Sequence, residues 1–251
     1  MTTSTYVKSA QRVLELLEFF AEWRRPASVG EISQSLGYPQ SSTSVLMKSL
    51  SESGYFDYEA RTGMYVPNVR MSLATSWIQE HLYSEQSLLR LMEKVLERTG
   101  HTVMIGARKG IHVRYLHVLQ STRDGRFVAK MGALRPLFHS AAGKMLLTNL
   151  PEREVAMLLR KANGLASDSG QQLDFAAVCR SVKATRKAGY AISTGTSMPG
   201  AAALSVLLPV RHDQEPMTLS VGGPLLEVQR DRAQLLEALV ETVDPLRKAI
   251  R

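Results

Sequence analysis

Apolar residues recur at helical spacing from Ser9 onward: Val13, Leu16, Leu17 and Phe20 share one face, with Arg12, Glu15 and Glu18 between them. The spacing predicts an amphipathic helix with one core-facing stripe, ending near Trp23 ahead of Arg24, Arg25 and Pro26. Ser28 then precedes Glu31 by three positions, the S-x-x-E capping pattern, and Val29, Ile32 and Leu36 supply the stripe of a short second helix. Gly37 offers a left-handed stop and Pro39 prevents continuation. A third helix is expected from about Gln40, with Val45, Leu46 and Leu50 as its apolar side and Gly54 as its stop. Two short aromatic-rich segments around Ala60, Arg61, Thr62 and Gly63 then predict a β-hairpin.

The later pattern is mixed. Leu73, Trp77 and Ile78, then Leu88, Leu89, Leu91, Met92, Val95 and Leu96, read as helix up to Gly100. A hairpin turning at Lys109 and Gly110 follows, then a strand within RDGRFVAKMGALRP and a helix opening at His139 to Gly143. Helices are expected over 152–161 and 173–188, strands over 190–193, 202–210 and 218–222, and one closing amphipathic helix over about 228–249. Antiparallel hairpins interleaved with helices predict an α+β architecture. We divide the chain at sequence level into a helical and hairpin domain over 1–69, a linker helix over 70–84, and an α+β domain over 85–251, to which the family resemblance given below assigns effector binding and oligomerisation.

A helix, a short helix, a tight glycine-containing turn, a third helix and a hairpin are the plan of a winged helix-turn-helix, which predicts double-stranded DNA as a partner. The third helix carries Gln40, Ser41, Ser42, Thr43 and Lys48, small hydroxyl and amide groups suited to phosphates and base edges. Ser42 and Thr43 are expected to set base preference. Lys48, Arg24 and Arg25 are candidate backbone contacts, and Arg61 is placed at the wing tip.

Composition sharpens this less than it first promises. The chain has 251 residues and a formal net charge of +8. Residues 1–80 nevertheless hold seven Lys and Arg against eight Asp and Glu, whereas residues 90–161 hold fourteen against five. The DNA reading therefore rests on the order of elements and not on total charge. One cysteine, Cys179, excludes an internal disulfide framework or a multi-cysteine zinc site. With no apolar leader and no membrane-length apolar run, a cytoplasmic protein with no membrane partner is expected.

Catalytic patterns are weak. Gly195, Thr196 and Ser197 begin a nucleophile-elbow-like run, but Pro199 stands where that motif needs glycine. His139 and Ser140 are adjacent with no orienting carboxylate in evidence. The six histidines lack metal-site spacing, and His112 and His117, five apart on one expected strand, are expected to face opposite ways. No catalytic residue, metal site or cofactor is therefore expected. An enzyme carrying a winged helix and a protein-interaction module remain the rival readings.

The segments VKSAQRVLELLEFF, VGEISQSLGYPQSSTSVLMKSLSESGYF, GMYVPN, LFHSAAGKMLL, GYAIS and LSVGGP, in that order, resemble the IclR family of bacterial transcriptional regulators over nearly the whole chain. The resemblance implies a linker helix joining the winged helix-turn-helix to a GAF-like α/β effector-binding domain, and assembly as a homodimer or dimer of dimers on operator DNA. It implies a small-molecule effector site drawn from Met104, Gly132, His139, Ser140, Ala141, Ala142, Gly143, Ser193, Ala203, Ser220 and Gly222. Relatives that bind small carboxylates are expected to carry stronger polar anchors at the places held here by Ser193, Ala203 and Gly222. That difference leads to the expectation of a larger, more apolar organic acid or an aromatic effector.

Overall fold

The computed structural model describes residues 7–82, 88–123, 128–166, 172–209 and 215–249. The chain separates into two compact units, Met1–Ser84 and Glu85–Arg251. The expected boundary beside Ser84, part of the strand sought in RDGRFVAK, and His212 lie outside the described residues, as do the side chains of Trp77, Ile78 and His81.

The first unit comprises α1 (Lys8–Trp23), β1 (Ala27–Ser28), α2 (Val29–Leu36), α3 (Gln40–Glu52), β2 (Phe56–Glu59), β3 (Met64–Pro67) and α4 (Val69–Leu82). Leu16, Phe19, Phe20, Ile32, Met47, Phe56 and Tyr65 form one core, in which the Phe20 and Phe56 rings meet edge-on at 5.3 Å. The capping box at α2 is complete: Ser28 Oγ accepts the Glu31 N–H and Glu31 accepts the Ser28 N–H. Gly37 closes the same helix at φ 69°. The sequence pattern did not show β1, a two-residue strand that pairs with β3 and makes the wing a three-stranded sheet in the order β1-β3-β2.

The second unit holds α5 (Leu88–Thr99), β4 (Thr102–Lys109), β5 (His112–Leu119), β6 (Leu134–Pro136), α6 (Ala141–Leu147), α7 (Glu152–Gly164) and α8 (Phe175–Ala188). β7 (Ala191–Thr194), β8 (Ala201–Leu208), β9 (Met217–Pro224), α9 (Leu225–Arg230) and α10 (Arg232–Ala249) complete it. The six strands form one antiparallel sheet in the order β6-β5-β4-β9-β8-β7. α6 packs against this sheet with α8 on its outer side, and α5, α9 and α10 also pack on the strands.

Two expectations are corrected. The closing helix is two helices, because Asp231 turns the chain between α9 and α10 and accepts hydrogen bonds from Arg230 and Arg123. His112 and His117 share a face: β5 carries a bulge at Leu116, since Ile105 pairs with His117 and Gly106 with Tyr115. The extra residue reverses the alternation. Their partners Lys109 and Ile105 are four apart on β4, which separates the two histidines by about 13 Å at 3.3 Å per residue, too far for one metal ion.

Candidate nucleic-acid interface and effector cleft

α3 is positioned by the core beneath it. Thr43 and Met47 are buried, Leu46 and Leu50 half-buried, and all four lie on one side of the helix. Thr43 therefore cannot read bases. It is 2% exposed, and its hydroxyl donates to Pro39 O at 3.1 Å. Its β-branched side chain takes the place the sequence pattern assigned to Val45, which is 67% exposed. Ser42 is half-buried and also donates to Pro39 O. The exposed side of α3 carries Ser41, Ser44, Val45, Lys48 and, further along, Glu52, whose carboxylate lies 3.8 Å from Lys48 Nζ. Gln40 is exposed at the helix start.

The candidate backbone cations differ in freedom. Arg61 is open at the wing tip, with a loose 3.5 Å contact to Glu59. Arg25 stacks over the Trp23 ring at 4.0 Å and pairs with Glu31 at 3.1 Å. The Ser28 N–H and hydroxyl, with Arg25 behind them, hold the Glu31 carboxyl below its ordinary range. Arg24 closes α1 in the left-handed region, φ 52°, with Nε donating to Ala21 O. Sequence reasoning missed Arg12, whose guanidinium lies 4.8 Å above the Tyr38 ring, two residues before α3 begins. Its place on α1 made it look like ordinary solvent-facing charge.

In the second unit a cleft opens between the start of α6 and the loop from β7 to β8. Of the candidate effector residues, Ser140, Ala141, Ala142, Ser193, Ala203 and Ser220 line it. Ser140 caps α6, donating to Pro136 O and accepting from the Gly143 N–H, so its hydroxyl is committed and does not form a nucleophilic pair with His139. Ser220 donates to Ser205 at 2.9 Å within the sheet.

The remaining expected residues stand elsewhere. Gly143 faces the Leu137 carbonyl, which a Cβ would approach to 1.9 Å; its smallness serves backbone packing and not ligand approach. Met104 packs with Tyr115 and Ala129. Gly132 makes a turn with φ 76°, its N–H donating to Tyr115 O, and Gly222 lies within β9. His139 contributes its carbonyl, which accepts from the Thr196 hydroxyl; burial first, and then nearby Lys144, pull its imidazole pKa down. Burial likewise lowers Lys144, whose Nζ donates to Ile192 O.

Sequence reasoning missed Tyr115, Arg135, Ser197 and Met198 in this cleft. Arg135 lies over the Tyr115 ring at 5.5 Å, donates to Leu134 O and touches Met198 Sδ at 3.9 Å. Among the described residues no carboxylate pairs with it. Burial raises the Tyr115 phenol while Arg135 draws it back. The cleft's free space is about 20 Å³, room for one water.

Models of two families match: the IclR helix-turn-helix domain over residues 9–59 and the bacterial transcriptional regulator IclR C-terminal domain over residues 82–247. The chain belongs to the IclR family. As an IclR-family protein it is a DNA-binding transcriptional regulator with mixed α+β architecture. It is 24% identical to the acetate operon repressor of Salmonella typhimurium, over 93% of this chain and 86% of that protein. It is also 24% identical to the glycerol operon regulatory protein of Streptomyces griseus, over 95% and 93%. Among solved structures, the Thermotoga maritima IclR superposes with a TM-score of 0.65 at 19% identity, covering 98% of this chain and 99% of that one, a likeness of fold. These relatives are regulators of transcription. No helix among the described residues is long and apolar enough to cross a membrane.

Proposed function

We propose that this IclR-family regulator holds operator DNA through α3 and the wing, and that a small organic acid bound beneath the β7 to β8 loop changes that hold. The observation that carries the effector half is Arg135: a half-buried residue whose guanidinium lies at a cleft lined by serines and alanines, with no carboxylate partner among the described residues. A guanidinium fork matches a carboxylate in two parallel hydrogen bonds, and a half-buried one gains more from that pairing than an exposed one. Ser197 and Ser193 supply hydroxyls for the rest of the ligand.

Entry requires Met198 to leave Arg135, and the loop is tied down by the Thr196 hydroxyl on His139 O. Ligand binding thus exchanges those contacts for its own, which is the differential interaction a switch needs. Two copies, as a homodimer or within a dimer of dimers, would present two α3 helices to half-sites one helical turn apart.

The test is fluorescence anisotropy of the full chain on duplex from its own upstream region, titrated with two- to five-carbon organic acids and their neutral amides. An acid should shift DNA affinity where its amide does not, and Arg135→Met should abolish the shift while leaving DNA binding intact. Equal action of acids and amides would refute the role of Arg135.

A further inference from the structure

The exposed side of α3 carries one residue that its chemistry does not explain. At 3.6 residues per turn, positions 41, 44, 45 and 48 fall within an arc of about 100°, directly opposite Thr43, Leu46, Met47 and Leu50. Ser41, Ser44 and Lys48 on that arc are polar and exposed. Val45, at one edge of the same arc, is 67% exposed and joins no core cluster. Helix propensity does not account for valine there, since β-branching costs rotamer freedom.

The place of Val45 gives it a partner. In a helix-turn-helix the early turns of the second helix meet base edges in the major groove. The one apolar group on that groove's floor is the thymine C5-methyl; every other edge presents a hydrogen-bond donor or acceptor. Serine hydroxyls donate and accept and so tolerate several bases, and Lys48 is a point charge with a long reach. An isopropyl group has no such tolerance. It gains contact against a methyl and strips water from a polar edge with nothing in return.

We propose that Val45 is a specificity-determining residue of this regulator, packing its isopropyl group on the C5-methyl of one thymine in each operator half-site. The inference rests on the DNA-binding reading of α3. It assigns discrimination to the position that sequence periodicity had placed in the core.

Replacing thymine by deoxyuridine removes only the methyl, which makes the test sharp. Operator duplexes are first selected from a random pool by the wild-type full-length protein. Each thymine is then replaced singly by deoxyuridine, and affinity is measured for wild type and for Val45→Ser. At one thymine per half-site the replacement should weaken wild type about fourfold, the worth of one buried methyl group. Val45→Ser should bind that site with no dependence on the methyl, its tryptophan-monitored unfolding unchanged because position 45 contributes nothing to the core. Wild-type indifference at every thymine overturns the proposal, as does a Val45→Ser variant that keeps the wild-type pattern of methyl dependence. Failure to bind any duplex overturns the DNA-binding reading of α3 and the proposal together.

Discussion

Gly143 offers the sharpest test of how the second unit is built. A Cβ at this position would lie 1.9 Å from Leu137 O, 2.6 Å from Leu137 C and 2.7 Å from Leu137 Cα. These are backbone atoms, so no side-chain rotation relieves the clash. α6 must move away by more than an ångström, and it starts from a fully engaged position. Ala141, Ala142, Met145, Leu146 and Leu147 are all buried, and Ser140 caps the helix through the Gly143 N–H itself at 3.1 Å. Overpacking a tight core costs about 1–3 kcal/mol, and losing the cap adds about 1. Gly143→Ala should therefore destabilise the second unit by about 3 kcal/mol. For a unit of this size the midpoint falls by roughly 6–12 °C.

The assay can isolate that unit. Both tryptophans, Trp23 and Trp77, lie in the first unit, so indole fluorescence reports that unit while circular dichroism reports both. Gly143→Ala should lower the dichroism midpoint and leave the indole midpoint in place. Gly164→Ala is the matched control, because a Cβ there meets nothing within 4 Å and its φ is not in the left-handed region. It should be neutral or slightly stabilising. A Gly143→Ala protein that melts with wild type would refute the close approach to Leu137.

Three further outcomes follow from the same geometry. Ser28→Ala removes the acceptor for the Glu31 N–H and the donor to its carboxylate, and should cost the first unit about 1 kcal/mol, read as a lower midpoint by indole fluorescence. Thr43→Val keeps the buried shape and should leave base preference as it was in a selection from random duplexes; a changed preference would contradict its burial. His101 is buried and its pKa is lowered, by burial first and then by Arg123, so it is neutral when folded at a pH where the unfolded chain already binds a proton. Its contribution is full above the ordinary value near 6.5 and is lost as pH falls below it, by at most about 1.4 kcal/mol per pH unit. Dichroism midpoints flat between pH 7 and 5 would refute this; Asp231, held low by Arg230 and Arg123, acts only further down, below the ordinary carboxylate range.

Local signals carried the first unit. The capping box at Ser28, the left-handed stop at Gly37 and the hairpin around Arg61 each depend on residues close in sequence, and such features survive any tertiary context. The register of α3 did not. A periodicity count treats threonine as polar and valine as core, but burial chose Thr43, whose hydroxyl finds the Pro39 carbonyl within its own helix turn. In the second unit the cleft was legible at Ser140, Ser193 and Ser220 and illegible at Arg135, because a three-residue strand gives no periodic signal and its place beside Tyr115 is fixed only by pairing across the sheet. The bulge at Leu116 is likewise a tertiary choice, and one inserted residue was enough to reverse the expected faces of His112 and His117.

Part of the basic surplus of residues 90–161 is met by acids that no local window could show. Arg98 pairs with Glu241, and Arg123 with both Asp231 and Glu227. Those carboxylates belong to α9, α10 and the turn between them, outside the window in which the charge was counted. Arg108 is met within it, by Glu154 of α7. Cations early in the second unit are thus matched by acids at its end, joining α5 and the loop after β5 to the closing helices. Such half-exposed pairs contribute little each, about 0–1 kcal/mol, but they remove these arginines from the account of DNA attraction. Arg135 stands apart because its neighbours are a ring, a carbonyl and a sulfur.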